Sequence, residues 1–226
     1  MIPRSNAPIV LVLSCICWTP RAVAQQGDLN VSMMETTVKL LGKTSLGTGF
    51  MLMRGFKVQN GPKGSVSGEI VLVTAAHVLE EIREDEITVV MHAQAASGDW
   101  TRHESKLPIR RNGQPLWTKH PEADVAVMYV VPDIPFFSGK APMVDLLATD
   151  EVLQRYAMTP GVNLKCLGFP LGRESNSAGF AILRTGDIAS YPLLPTARTK
   201  TFLMDFSGLQ RQQRWPSVFL SAYVSR

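Results

Sequence analysis

Apolar residues in this chain come in short runs closed off by Gly, Pro, Asn and Asp, and that rhythm constrains the fold more than any other feature. Runs rich in Val, Ile, Leu and Phe at 34–41, 47–54, 69–74, 87–93, 125–131, 163–168, 181–188 and 201–206 predict strands. Asn60-Gly61-Pro62-Lys63-Gly64 breaks two of them as a hairpin or loop would. No long stretch repeats at helical spacing. A short helix is predicted at 75–82, and a helix-like piece lies near 150–156. Residues 132–160 are rich in Pro, Gly and Ala and read as a connector between two β units. A hydrophobic content of 45% against 19% charged is ordinary for a globular protein and argues against disorder. No apolar run approaches the ~18–20 residues that span a bilayer.

The first 24 residues have a different character. Arg4 gives a positive start, Ala7 to Trp18 form a short apolar stretch, and Ala22-Val23-Ala24 is a small-x-small cleavage site. This three-part pattern predicts a secretory signal peptide cut after Ala24 and an extracytoplasmic product, periplasmic or secreted. The alternative is a buried N-terminal strand or helix. Removing Arg4 and Arg21 with the leader takes the formal charge from +4 to +2, too small a bias to single out nucleic acid or an anionic membrane. Cys15 and Cys17 leave too, so Cys166 stands alone and the fold must rest on its apolar core rather than on a disulfide. Cys166, inside Asn163-Leu164-Lys165-Cys166-Leu167-Gly168, reads as a buried strand residue.

Four local patterns follow in order: Leu46-Gly47-Thr48-Gly49-Phe50; Val71-Leu72-Val73-Thr74-Ala75-Ala76-His77-Val78; His120-Pro121-Glu122-Ala123-Asp124-Val125-Ala126-Val127; and Gly168-Phe169-Pro170-Leu171-Gly172. As an ordered set they resemble the chymotrypsin-fold serine proteases, in particular the bacterial trypsin-like and Deg-type branch, over roughly 47–206. The resemblance implies an all-β, chymotrypsin-like double β-barrel. It also implies an endopeptidase acting on polypeptide by acyl transfer, with His77 as general base and Asp124 as the acid that orients it. The chemistry asks for that pair. A serine hydroxyl attacks only when an imidazole takes its proton, and the imidazole needs a carboxylate on its other nitrogen to fix tautomer and orientation. His92, His103 and His120 lack such context and read as strand or loop residues. Gly47 and Gly49 read as a bulge or close strand crossing. No metal or cofactor is implied: the histidines show no ligand spacing, and no glycine loop cradles phosphate.

The resemblance stops at the third element, Gly-[Asn/Asp]-Ser-Gly-Gly-Pro, which should follow a strand like 201–206 and supply nucleophile and oxyanion hole. After Ser207 the chain reads Gly-Leu-Gln-Arg-Gln-Gln-Arg-Trp-Pro-Ser-Val-Phe. Ser217 follows a Trp-Pro step, and Ser175 and Ser177 precede the strands that should frame the nucleophile, so no nucleophile is assigned. The genetic code offers a reason. Trp215 is TGG and Pro216 begins with C, so the frame one base later reads glycine there. Gln212 and Gln213, each CAA or CAG and each followed by C, give Asn or Ser. With CGG for Arg211 and Arg214, CCC for Pro216, and Ser217 starting with A or T, the shifted frame spells Gly-Asn-Ser-Gly-Gly-Pro. An extra base near Ser207–Gly208 would produce the sequence as written.

The expected organisation is a signal peptide at 1–24, an N-terminal β-barrel at 25–135, a connector at 136–160, a partial C-terminal β-barrel at 161–207 and an aberrant tail at 208–226. The second barrel is thus incomplete, with open edges that favour aggregation and a marginal C-terminal half. No Deg-type peptide-binding appendage is expected. Two functions compete: a serine endopeptidase by ancestry, inactive as written, and a protease-fold binding module without chemistry, a pseudoprotease.

Overall fold

The computed structural model describes residues 29–59, 65–130 and 141–206, and the backbone of 220–221. The leader at 1–24 and most of the tail, Ser217 included, lie outside the described residues. The protein is mainly β, with antiparallel sheets.

The chain enters through helix α1 (Leu29–Thr36) into strand β1 (Thr37–Leu41). The predicted strand at 34–41 therefore begins late. Thr36 and Thr37 mark the switch: their hydroxyls donate back to the Ser32 carbonyl at 2.9 Å and the Met33 carbonyl at 2.6 Å, closing the last turn, and the β-branched step Thr36-Thr37-Val38 favours strand. Next come β2 (Leu46–Gln59), β3 (Ser65–Thr74), the short helix α2 (Ala76–Glu81), β4 (Glu86–Gln94) and β5 (Trp100–Pro108). Strand β5 is absent from the sequence-based strands because its residues Thr101-Arg102-His103-Glu104 are polar and exposed. It is an edge strand, where charge is tolerated and deters pairing with other chains. Two-residue strands β6 (Arg110–Arg111), β7 (Gln114–Pro115) and β8 (Thr118–Lys119) lead to β9 (Ala126–Val130).

The first sheet has the order β5-β4-β1-β2-β3-β9-β8. No ladder joins its two ends among the described residues, so it is an open antiparallel sheet. In the connector region, a 3₁₀ turn at Val144–Leu146 and helix α3 (Asp150–Arg155) precede β10 (Asn163–Gly168), which matches its predicted bounds. Thr149 caps α3, its hydroxyl accepting the Val152 N–H at 3.4 Å. Strands β11 (Ile182–Ile188), β12 (Met204–Asp205) and β13 (Leu220–Ser221) complete a second sheet ordered β12-β11-β10-β13. Only two residues of the predicted strand at 201–206 pair. Inside the expected tail, Leu220 and Ser221 pair with Cys166 and Lys165.

The period of two explains the packing. On one face Val38 and Leu40 of β1, Met51 and Met53 of β2, Ile70 and Leu72 of β3, Ile87 and Val89 of β4, and Ala126 and Met128 of β9 form the main core. The alternate residues Phe50, Leu52 and Val73 point the other way and pack with Leu167, Phe169 and Ala181 from around the second sheet, joined by Met33 of α1. Over 50–53 and 70–73, β2 and β3 are thus buried on both faces, which is why those stretches read as unbroken apolar runs.

Lys39 alternates onto that second face too. Its side chain is 11% exposed, and the ammonium donates to the Gly172 carbonyl at 2.6 Å and to Glu174 at 3.0 Å. Arg102 of β5 bonds the same carboxylate. Burial pushes the Glu174 carboxyl up, but hydrogen bonds from Arg102 and Lys39 outweigh it and hold the group below the usual glutamate range. A depressed value means that the stabilisation is complete above the unfolded glutamate's range and is lost as pH falls through the lower folded one. Glu174→Gln should therefore cost about 1–3 kcal/mol at neutral pH in urea unfolding, with the gap from wild type closing as the solution is acidified. Equal stability at neutral pH would show that this cluster does not hold the second unit to the first sheet.

Candidate active site

Register brings the two predicted site residues together. Thr74, the last residue of β3, pairs with Ala126, the first of β9. Because the strands are antiparallel, the exit of one and the entry of the other share an end of the sheet. His77 lies three residues beyond Thr74 and Asp124 two before Ala126, so both emerge at the same corner.

The exit from β3 is fixed by burial. Thr74, Ala75 and Ala76 are all fully buried, and the Thr74 hydroxyl donates to the Thr48 carbonyl at 2.8 Å. Helix α2 is then anchored through Val78 and Leu79, both buried. Gly47 makes room: a Cβ built there would lie 2.3 Å from Val78 Cγ1. At Gly49 a Cβ would lie 2.8 Å from Leu72 Cδ1, inside the ladder. The close approach expected at Gly47 is thus strand to helix rather than strand to strand.

Asp124 makes two contacts with His77. Its Oδ1 accepts the His77 backbone N–H at 2.9 Å, and its Oδ2 lies 2.5 Å from His77 Nδ1. The first contact has a local cause. His77 is in the first turn of α2, where N–H groups have no intrahelical partner, and Ala75 at the N-cap has no side chain to supply one. Asp124 fills that role from across the corner. The second sets the tautomer: a carboxylate accepts, so Nδ1 carries the proton and Nε2 is left with its lone pair. Burial pushes the Asp124 carboxyl up, but the His77 backbone N–H and ring outweigh it and hold the acid below its ordinary range. Both side chains are 40% exposed, so the pair stands at the surface, where a group can be brought to the imidazole.

Asp124 itself stands on a turn closed by His120. His120 Nδ1 accepts the backbone N–H groups of Glu122 at 3.1 Å and Ala123 at 2.9 Å, while the His120 N–H donates to the Val125 carbonyl at 2.8 Å. The missed signal is an acceptor side chain two and three residues before the N–H groups it satisfies, a pattern associated with Asn and Asp rather than His.

The remaining candidates lie elsewhere. His92 is buried, stacked on Phe180 with ring centroids 3.9 Å apart, and its Nε2 lies 3.1 Å from the Met34 carbonyl; burial lowers its pKa. His103 sits on edge strand β5 opposite Met91. Burial pushes the Cys166 thiol up to about 11, which rules out a ready thiolate. Ser175 donates its hydroxyl to the Phe180 carbonyl at 3.2 Å and closes its own loop. Among the described residues no group of His, Cys, Asp and Glu could hold a metal ion, and no helix is long and apolar enough to cross a membrane.

The corner provides a proton acceptor, oriented and at the surface, which is what a general base requires. No protein-family model matches the chain, and no curated protein matches it either.

The tautomer is testable. In Asp124→Asn the amide can present N–H to the ring, which favours the opposite imidazole tautomer. Imidazole ¹⁵N spectra should show His77 protonated on Nδ1 in the parent and shifted toward Nε2–H in the variant. An unchanged His77 pattern would mean that Asp124 does not set the tautomer.

Proposed function

We propose that this chain derives from an exported, trypsin-like serine endopeptidase of the chymotrypsin-fold type, and that as written it has no catalytic activity. The observation that carries the reading is the two-point contact of Asp124 with His77, at a corner built by the motifs whose order resembles that family. In this reading His77 Nε2 takes the proton from a serine hydroxyl as it attacks a peptide carbonyl and later gives it to the leaving amine. Asp124 holds the tautomer and stabilises the imidazolium. The two sheets are then the counterparts of two barrels, with the cleft for an extended polypeptide between them. The leader places the product outside the cytoplasm.

What the written sequence does not contain is the nucleophile with its glycine-rich turn. Residues 211–216 stand where the shifted frame spells Gly-Asn-Ser-Gly-Gly-Pro, and the backbone N–H groups of that turn are the oxyanion donors. Without them the base has nothing to activate and the developing oxyanion nothing to meet. This lack favours the second reading for the chain as written, a protease-fold binding module that uses the same cleft without chemistry.

A fluorophosphonate probe, which reacts only with an activated serine, separates these readings. The chain as written should remain unlabelled. A protein expressed from the gene with one base removed near the Ser207–Gly208 codons should label, and His77→Ala in that protein should slow labelling by about 10³-fold or more. Labelling of the chain as written would overturn the assignment of no nucleophile. A restored protein that folds but does not label would favour the binding module. Resequencing the codons for 205–226 gives the direct check: one base fewer, opening into the glycine-rich turn, is the expected result.

A further inference from the structure

We propose that His120 is a positioning residue for Asp124, with its Nδ1 fixing the turn from which the carboxylate reaches His77. The inference rests on the reading of His77 and Asp124 as base and orienter, and it gives a role to a histidine that the chemistry leaves unused.

The turn has little else to hold it. Pro121, Glu122 and Asp124 are exposed, and the apolar anchor of this connection, Val125, partly buried against the second cluster, lies only at its β9 end. Two consecutive N–H groups, those of Glu122 and Ala123, point at one acceptor, His120 Nδ1, at 3.1 and 2.9 Å. From the other side the His120 N–H meets the Val125 carbonyl at 2.8 Å, and the Val125 N–H meets the Ala123 carbonyl at 2.8 Å. One residue therefore closes the turn through both its ring and its main chain, and Asp124 is the next residue after the second N–H that the ring holds. The tautomer follows: an Nδ1 that accepts puts the proton of the neutral ring on Nε2, the reverse of His77.

Two ion pairs also reach this region, Lys119 with Glu80 on α2 and Glu122 with Lys200. Their side chains are largely exposed, and pairs of that kind hold a backbone weakly. The ring acceptor acts on the main chain itself, which sets the direction of the Asp124 Cα–Cβ bond.

The readout is hydrogen exchange at the His77 backbone amide in the full chain. That N–H has no intrahelical partner and is protected by Asp124 Oδ1. Asp124→Ala sets the full effect of losing the acceptor. His120→Ala should lower His77 protection on the order of tenfold relative to amides of the β2–β3 ladder such as Met51 and Leu72. His120→Asn, which keeps an acceptor at a similar reach, should retain most of it. The inference is overturned if His120→Ala leaves the His77 amide unchanged. It is also overturned if His120→Asn falls as far as His120→Ala, or if every amide of the sheet loosens together, since a specific acceptor role predicts none of these. If Asp124→Ala itself leaves the His77 amide protected, the contact between His77 and Asp124 is refuted, and both the catalytic reading and the role of His120 fall with it.

Discussion

The structure depends on a sheet whose central strands bury both faces. Strands β2 and β3 send Met51, Met53, Ile70 and Leu72 to one side and Phe50, Leu52 and Val73 to the other. With no disulfide to staple the described chain, this double burial joins the second unit to the first. It also sets what the flanking strands can carry. Any residue of β1 that alternates onto the second face must be apolar or paired, and Lys39 is paired, with the Gly172 carbonyl and Glu174. The 169–181 segment is thereby held by Phe169 and Ala181 in the apolar cluster at its ends and by Glu174 in its middle.

The same sheet explains the site. A dyad needs two side chains from distant positions in the chain, and here an antiparallel ladder supplies the proximity. Thr74 opposite Ala126 puts one chain exit and one chain entry together, and the buried Thr74-Ala75-Ala76 step lets the backbone turn into α2 without a bulky side chain in the way. Asp124 then does two jobs with its two oxygens, capping an N–H of the helix and holding the ring. Helix capping and tautomer selection come from the two oxygens of one carboxylate, so the local stability of α2 and the orientation of its histidine are coupled.

Much of this was legible in the residues because burial leaves a pattern. The apolar runs at 69–74, 87–93 and 163–168 fall within β3, β4 and β10, and the site residues could be named from the motifs around them. What escaped were elements whose reasons are not apolar. Strand β5 is polar and gains its place by pairing with β4, from Glu86 opposite Pro108 to Gln94 opposite Trp100. Helix α1 shows no helical stripe, and its end depends on threonine hydroxyls turned back on the chain. The turn at His120 uses an imidazole where Asn or Asp is the familiar acceptor. In each case the determinant is a hydrogen bond to the backbone, which composition and period do not register.

The placement of the dyad bears on what its presence means. His77 and Asp124 both stand on the first sheet, at the β3–β9 corner, and the groups that support them, Thr48, Gly47, Val78 and His120, belong to that sheet or its connections. Among the described residues, these supporting groups all precede 207. A change of frame after the second sheet's main strands would therefore leave the corner intact while removing the groups that use it. A binding protein, by contrast, has no physical requirement for an exposed histidine with its inner nitrogen held by a carboxylate. In the reading proposed above the corner serves proton transfer, and the partner for that proton would come from the one segment whose residues depend on the reading frame.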